Sequence, residues 1–272
     1  MKKLLLTIVG LLVLSSLALA QATTDTTTTS GTGSRQPRKN IRTGAGISCG
    51  SDPILPTDGL AVQDFVDVSS VSYYLVHLKD GHSYSAEVYD SLDATITATA
   101  QLGLISSSDC TTVLPTMDVA SMDPDLTASF SDRISWIQVG DSDAVLTVTN
   151  GDSANSYVYT VRIVDTTLHN PRWSTYSGYH TQYALVNNTE TSITGNLTVY
   201  DSTGNVVAAY TAISVPAAAE NFVTVASPTN KFGFATFAFV GPAGAITADA
   251  YFVNPSINAT VPSTFAPRNY QH

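Results

Sequence analysis

From residue 52 onward the chain is written in short alternating runs. Ser83-Tyr84-Ser85-Ala86-Glu87-Val88 places Tyr84, Ala86 and Val88 on one face, the period of two that marks a half-buried antiparallel strand. Residues 71–78 form a similar run, and Lys79-Asp80-Gly81 between the two reads as a glycine-bearing hairpin turn. Residues 134–139, 144–149 and 157–164 are further β-branched and aromatic runs, separated by Asp141-Ser142-Asp143 and Asn150-Gly151-Asp152.

The same grammar returns after residue 172. Ile193, Leu197 and Val199 face one way along residues 193–200, and Asp201-Ser202-Thr203-Gly204-Asn205 turns the chain into residues 206–211. Runs at 182–186, 222–225, 232–240 and 245–253 follow, the last two joined by Gly241-Pro242-Ala243-Gly244. Helical periodicity is absent, so the pattern predicts an all-β chain of two tandem antiparallel β-sandwiches. About seven strands in a hundred residues gives the second the size of an immunoglobulin-like or fibronectin-like sandwich.

The beginning of the chain is different. Lys2 and Lys3, an apolar run from Leu4 to about Leu17, and Ala18-Leu19-Ala20 have the three parts of a secretory signal, with cleavage expected between Ala20 and Gln21. The apolar run is shorter than the roughly 20 residues that span a bilayer. Secretion into a periplasm or the medium is the expected outcome, with no membrane span in the mature form. Residues 21–34 hold seven threonines and almost nothing to bury, the composition of a disordered tether. Residues 35–42 then carry four cations, which read as a solvated tail or as a contact for an anionic surface. The expected organisation is therefore a signal peptide at 1–20, a disordered linker at 21–45, and sandwiches at 46–168 and 169–272.

Charge separates the two halves. The whole chain has a formal net charge of −10, with 12% charged residues. That acidity excludes a nucleic-acid binder, which needs a basic field against phosphates. Residues 52–165 hold seventeen acidic and three basic side chains, whereas 172–272 hold four and three. A shift that sharp across 166–171 marks the expected domain boundary.

Tyr73-Tyr74-Leu75-Val76-His77-Leu78-Lys79-Asp80-Gly81-His82-Ser83-Tyr84 and Tyr159-Thr160-Val161-Arg162-Ile163 resemble the opening and closing strands of the bacterial pre-peptidase C-terminal domain family. The resemblance implies a jelly-roll-like, non-catalytic β-sandwich module of the kind attached to secreted enzymes, with roles in substrate binding, solubility or secretion. Residues 1–51 ahead of it are too few for a peptidase domain, so the module is expected to act without the enzyme it usually accompanies. Arg172-Trp173-Ser174-Thr175, Tyr183-Ala184-Leu185-Val186-Asn187, Tyr200-Asp201-Ser202-Thr203-Gly204 and residues 244–251 resemble an uncharacterised C-terminal domain of secreted bacterial proteins. That resemblance implies an extracellular sandwich and no chemistry.

The candidate chemistry is sparse. Cys49 and Cys110 are an even pair in an oxidising compartment, read as a disulfide. Closing a loop of about 60 residues would stabilise the fold by about 4 kcal/mol in the chain-entropy model. Gly46-Ile47-Ser48-Cys49-Gly50 matches G-x-S-x-G but lacks the strand and helix that the hydrolase turn requires. His77 and His82 flank the 79–81 turn, where exposed positions explain them; a dispersed Ser-His-Asp triad stays open as the hydrolase alternative. Asp118, Asp123, Asp125, Asp141, Asp143 and Asp152 offer oxygen ligands for calcium, or cap their own turns. No other cofactor is called for. Trp136, Trp173 and thirteen tyrosines either fill the strands or present a stacking face for sugars. The leading expectation is a secreted non-catalytic binding or structural protein whose partner is a polymer, a cell-surface component or a protein. A carbohydrate-binding accessory module is the alternative alongside the hydrolase.

Overall fold

The structure, a computed structural model, describes residues 52–90, 100–119, 122, 132–140, 142–152 and 154–267. The expected signal peptide with its Ala20/Gln21 cleavage site, the threonine-rich and basic segments, Ser48 and Cys49 lie outside the described residues. So do Asp123, Asp125 and Asp141.

The described chain is all-β, with sixteen strands and one 3-10 turn. Eight strands precede residue 166: β1 (Val62–Val66), β2 (Val71–Leu78), β3 (Ser83–Asp90), β4 (Ala100–Ser106), β5 (Met117–Asp118), β6 (Asp132–Ile137), β7 (Ser142–Asn150) and β8 (Tyr157–Asp165). They form a five-stranded sheet, β1-β8-β3-β6-β5, and a three-stranded sheet, β2-β7-β4. The two sheets face each other across one core. Tyr84, Ala86, Val88, Trp136, Val161 and Ile163 enter it from the larger sheet, and Tyr74, Val76, Leu104, Leu146 and Val148 from the smaller.

Two expectations for this half need correction. Residues 79–81 are not a hairpin turn, because β2 pairs with β7 whereas β3 pairs with β6 and β8. The turn is an arch that carries the chain from one sheet to the other. Gly81 takes φ +72 in it, and the Tyr84 hydroxyl accepts the Lys79 N–H across it. Nor is β3 half-buried. Tyr84, Ala86 and Val88 do face the core, but Ser83, Ser85 and Glu87 on the opposite face are buried too. The Ser135 hydroxyl of neighbouring β6 donates to the Gly241 carbonyl and accepts the Gly241 N–H, both at 3.0 Å, so the 241–244 connection covers that face.

The remaining strands are β9 (Leu168–Ser174), β10 (His180–Asn187), β11 (Ile193–Asp201), β12 (Val206–Val215), β13 (Glu220–Val225), β14 (Phe232–Phe239), β15 (Ile246–Asn254) and β16 (Ala259–Pro267). They make one sheet in the order β12-β11-β14-β9-β16-β15-β10-β13. It bends at β16, which pairs with β15 along most of its length and with β9 only at Ala266 and Pro267. The two halves of the sheet thereby enclose a second core, with Trp173, Leu197, Val199 and Phe237 from one half and Tyr183, Leu185, Val225 and Ala250 from the other.

Residues 168–171, expected as part of a turn-rich boundary, are instead the start of β9. Pro171 fits there because the pairing of β9 with β14 jumps from Trp173 opposite Gly233 to Asn170 opposite Ala235. Pro171 and Arg172 therefore bulge opposite Phe234, where no ladder donor is needed. Strand β16 carries Pro262 on the stretch that β9 does not reach.

Candidate functional site

The arrangement with most binding capacity is an aromatic face on the outside of the second core. In β14, Ala235, Phe237 and Phe239 are buried, so alternation sends Phe232 and Phe234 to the other face. Phe234 stands opposite Tyr200 of β11, and the two rings are stacked 4.6 Å apart at 11°. Two residues along, Phe232 meets Tyr176 at 5.9 Å and 44°. Tyr176 and Phe232 are each 47% exposed, Phe234 36%, and Val206, in register with Tyr200 from edge strand β12, is exposed beside them. Exposed apolar patches of this kind mark interaction surfaces when they are contiguous.

Four local features hold these rings. Gly233, between the two phenylalanines, lets β14 close on β11; a Cβ there would run into the Tyr200 carbonyl oxygen and lie 2.6 Å from the Asp201 carbonyl carbon. From the core side, buried Trp173 donates its indole N–H to the same Tyr200 carbonyl at 2.6 Å. Buried Thr175 joins the turn after β9 to the loop before β14: its hydroxyl donates to the Pro228 carbonyl and accepts the Lys231 N–H. Ser177 and Gly178 take φ +54 and +80 in the 3-10 turn (Tyr176–Gly178), which the Asn254 side chain braces by donating to the Ser177 carbonyl. The rings are thus set in place before any ligand arrives, which lowers the entropic cost of binding.

The two histidines at the ends of the arch are both paired with aspartates. His77 Nδ1 lies 2.7 Å from Asp143 Oδ1 at the surface, with side chains 57% and 52% exposed. His82 Nδ1 lies 2.7 Å from Asp165 Oδ2, with side chains only 16% and 8% exposed, so the expected exposed position does not hold for His82. Burial pushes the Asp165 carboxyl up, but hydrogen bonds from His82 and Thr167 outweigh it and hold the group below its ordinary value. The His82 ring is flanked by Tyr84 and by His169, whose centroids are 6.4 and 5.7 Å away. This supplies the base and its orienting carboxylate, two of the three parts of a triad.

Beside His77, an open cavity of about 320 Å³ is lined by Ile54, Leu55, Pro56, Thr57, Asp58, His77 and Lys79. On β3, Glu87 is buried between two arginines that stand opposite it in register. Arg133 Nε lies 2.9 Å from Glu87 Oε1, and Arg162 Nε 2.5 Å from Oε2. The Tyr89 hydroxyl also donates to Glu87, and burial followed by that carboxylate pushes Tyr89 up to about 12. Both carboxylate oxygens of Glu87 are engaged, so the cluster reads as structural.

Of the sequence candidates, Asp152 accepts from the backbone N–H groups of Ala154 and Asn155 and from the Asn155 side chain, the turn-capping alternative. Asp143 is engaged by His77. Among the described residues no group of three or more His, Cys, Asp or Glu side chains is placed to hold a metal ion. Trp136 and Trp173 are both buried in cores, so neither contributes to a stacking face. Cys110 sits at φ +55 in a turn closed by Asp109, which accepts the N–H groups of Thr111 and Thr112; the expected partner Cys49 is outside the described residues. The sequence reading missed Tyr176, Phe232 and Phe234 as surface residues. The signal was parity: aromatics at 232 and 234 and again at 237 and 239 cannot all share one face of a strand. No family model and no curated protein matches the chain.

Proposed function

We propose that the chain is a secreted, non-catalytic extracellular binding protein that contacts its partner through the aromatic face formed by Tyr176, Tyr200, Phe232 and Phe234. The observation that carries this reading is the exposure of Tyr176, Phe232 and Phe234 on a turn and a strand that are braced from the core side. Exposed rings in contact with one another mark an interaction surface, as singly scattered ones do not. The signal-like N-terminus and the resemblance of the first half to a non-catalytic module support the same reading. The Cys49–Cys110 bridge belongs to it as the staple of a protein that works outside the reducing cytoplasm.

The test is co-sedimentation of the mature chain with a panel of insoluble polymers and cell-envelope fractions. Wild type is retained by at least one surface, and the Phe232→Ala/Phe234→Ala variant is released from it. Equal retention of the two proteins overturns the reading.

A second reading, a hydrolase, is favoured by the His82–Asp165 pair alone. It requires a hydroxyl nucleophile at His82 Nε2, and ester or peptide turnover lost in His82→Ala would establish it.

A further inference from the structure

We infer that the aromatic face docks an acidic, extended segment of a partner protein, which brings an aliphatic side chain to Tyr176 and Phe232 and carboxylates to Arg172 and Lys231. The inference rests on the binding reading above and gives the partner its chemistry.

Three observations select this occupant. The first is unpaired positive charge. Arg172, on the bulge of β9 opposite Phe234, and Lys231, next to Phe232, are both exposed. Trp173 faces the core, so alternation turns Arg172 to the side of the sheet that carries Phe234. In the first eight strands Arg133 and Arg162 are paired with Glu87, whereas the side chains of Arg172 and Lys231 make no ion pair or hydrogen bond among the described residues. In a chain of net charge −10, the two described cations left without a partner thus flank the same rings.

The second is where the nearby acidic groups lie. Residues 172–272 hold four of them, Glu190, Asp201, Glu220 and Asp249. Asp201 follows Tyr200 and so falls on the other face of β11, where its carboxylate accepts the N–H groups of Thr203 and Asn205. Glu220 and Asp249 belong to β13 and β15, in the other half of the bent sheet, and Glu190 precedes β11 at the end opposite Tyr200. Attraction at such a site is local, because exposed charges more than about 8 Å apart are largely screened at physiological ionic strength.

The third is the shape of the apolar part. One face of the Phe234 ring is already stacked on Tyr200, and Tyr176 and Phe232 stand at 44° to each other. These rings offer no flat platform for a sugar; the angle between two tilted rings suits a branched aliphatic side chain. The two cations bracket that angle. The Lys231 N–H is bonded to Thr175, and Thr175 is three residues along from Arg172, about 10 Å at 3.3 Å per residue. An extended peptide repeats its side chains on one face every ~7 Å. A segment with an acidic residue two positions to either side of an aliphatic one therefore brings all three groups to the site, and the Arg172 guanidinium can grip its carboxylate with two parallel bonds.

The experiment is selection of a displayed random dodecapeptide library on the immobilised, purified protein, followed by fluorescence anisotropy of the most enriched peptide. Enriched sequences carry Asp or Glu on both sides of Leu, Ile or Val. That peptide binds Arg172→Ala/Lys231→Ala and Phe232→Ala at least tenfold more weakly than wild type, and Arg172→Glu/Lys231→Glu enriches basic sequences instead. The substituted side chains are exposed, so the charge variants keep the wild-type melting temperature and carry the test even if Phe232→Ala does not fold. Enrichment of basic or uncharged sequences, no enrichment, or equal affinity in wild type and the charge variants overturns the inference. Displacement of the peptide by polygalacturonate at equal carboxylate concentration assigns the site to an acidic polysaccharide and overturns it too. Loss of retention on the polymer and envelope panel in Phe232→Ala/Phe234→Ala, with no acidic peptide enriched, overturns the peptide assignment and leaves the binding reading standing. Retention unchanged in that variant, with no peptide enriched, overturns both.

Discussion

Tyr200 of β11 and Phe234 of β14 stand opposite each other with parallel rings 4.6 Å apart, on the face of the sheet turned away from the core. Their strands are drawn together by the absence of a side chain at Gly233 and by the Trp173 indole that holds the Tyr200 carbonyl. The pair is therefore a consequence of how the core side is built, although it presents itself to solvent. A cross-strand aromatic pair is worth only about 0.2–1 kcal/mol, so its exposure is better explained by what it contacts than by what it stabilises.

Gly233→Ala tests that dependence. The added Cβ meets backbone, which cannot rotate aside, so β14 must withdraw from β11. Overpacking of this kind costs about 1–3 kcal/mol. Urea unfolding should show that loss, and binding to the polymer that retains wild type should fall although no ring has been removed.

Glu87→Gln tests the ion cluster on the face of β3 opposite the first core. The substitution leaves Arg133 buried with its countercharge gone, and breaking a buried pair from one side costs about 3–5 kcal/mol. Thermal melting should report a loss of that size. Retention on the polymer panel, measured below the new melting temperature, should be unchanged because Glu87 is on another sheet from the aromatic face.

Asp165 gives a pH signature. Its carboxyl is held lower in the folded protein than in the unfolded chain, so its contribution is complete above the unfolded value and is lost as pH falls through the folded one. Urea midpoints of wild type should drop on acidification below about pH 4. Asp165→Asn should be less stable at neutral pH and show a shallower drop; parallel curves would show that the His82–Asp165 pair carries none of the acid sensitivity.

For Cys49 and Cys110, peptide mapping without reductant should recover the two as one linked peptide. Cys110→Ser should then lower stability by about 4 kcal/mol in the chain-entropy model. Recovery of two free thiols from protein purified without reductant would remove the bridge.

Much of the fold was legible because strands announce themselves by alternation. Tyr84, Ala86 and Val88 face one core, and Ile193, Leu197 and Val199 the other, as their spacing required. Alternation does not say which strand a strand pairs with, and so the arch at 79–81 looked like a hairpin: a short glycine turn serves both. The burial of Ser83, Ser85 and Glu87 was hidden for a related reason. Ser83 and Glu87 are met by partners far away in sequence, Thr166 and Thr167 for the first and Arg133 and Arg162 for the second. Pro171 disguised β9, because a proline opposite a bulge looks like a strand breaker until the partner's register is known. The aromatic face was half legible. The parity of 232 and 234 against 237 and 239 required one pair to face outward, but only the buried neighbours Ala235 and Trp173 decide which. The pairing of His82 with Asp165 spans 83 residues and left no local mark.

The most direct measurement is a hydroxyl-radical footprint of the purified protein, free and bound to whichever panel polymer retains it. Tyr176, Phe232 and Phe234 are predicted to lose reactivity together on binding, with His77 and the other exposed side chains of the first eight strands unchanged. Protection confined to those first strands, with the three rings as reactive as in the free protein, would contradict the assignment of the aromatic face as the binding surface.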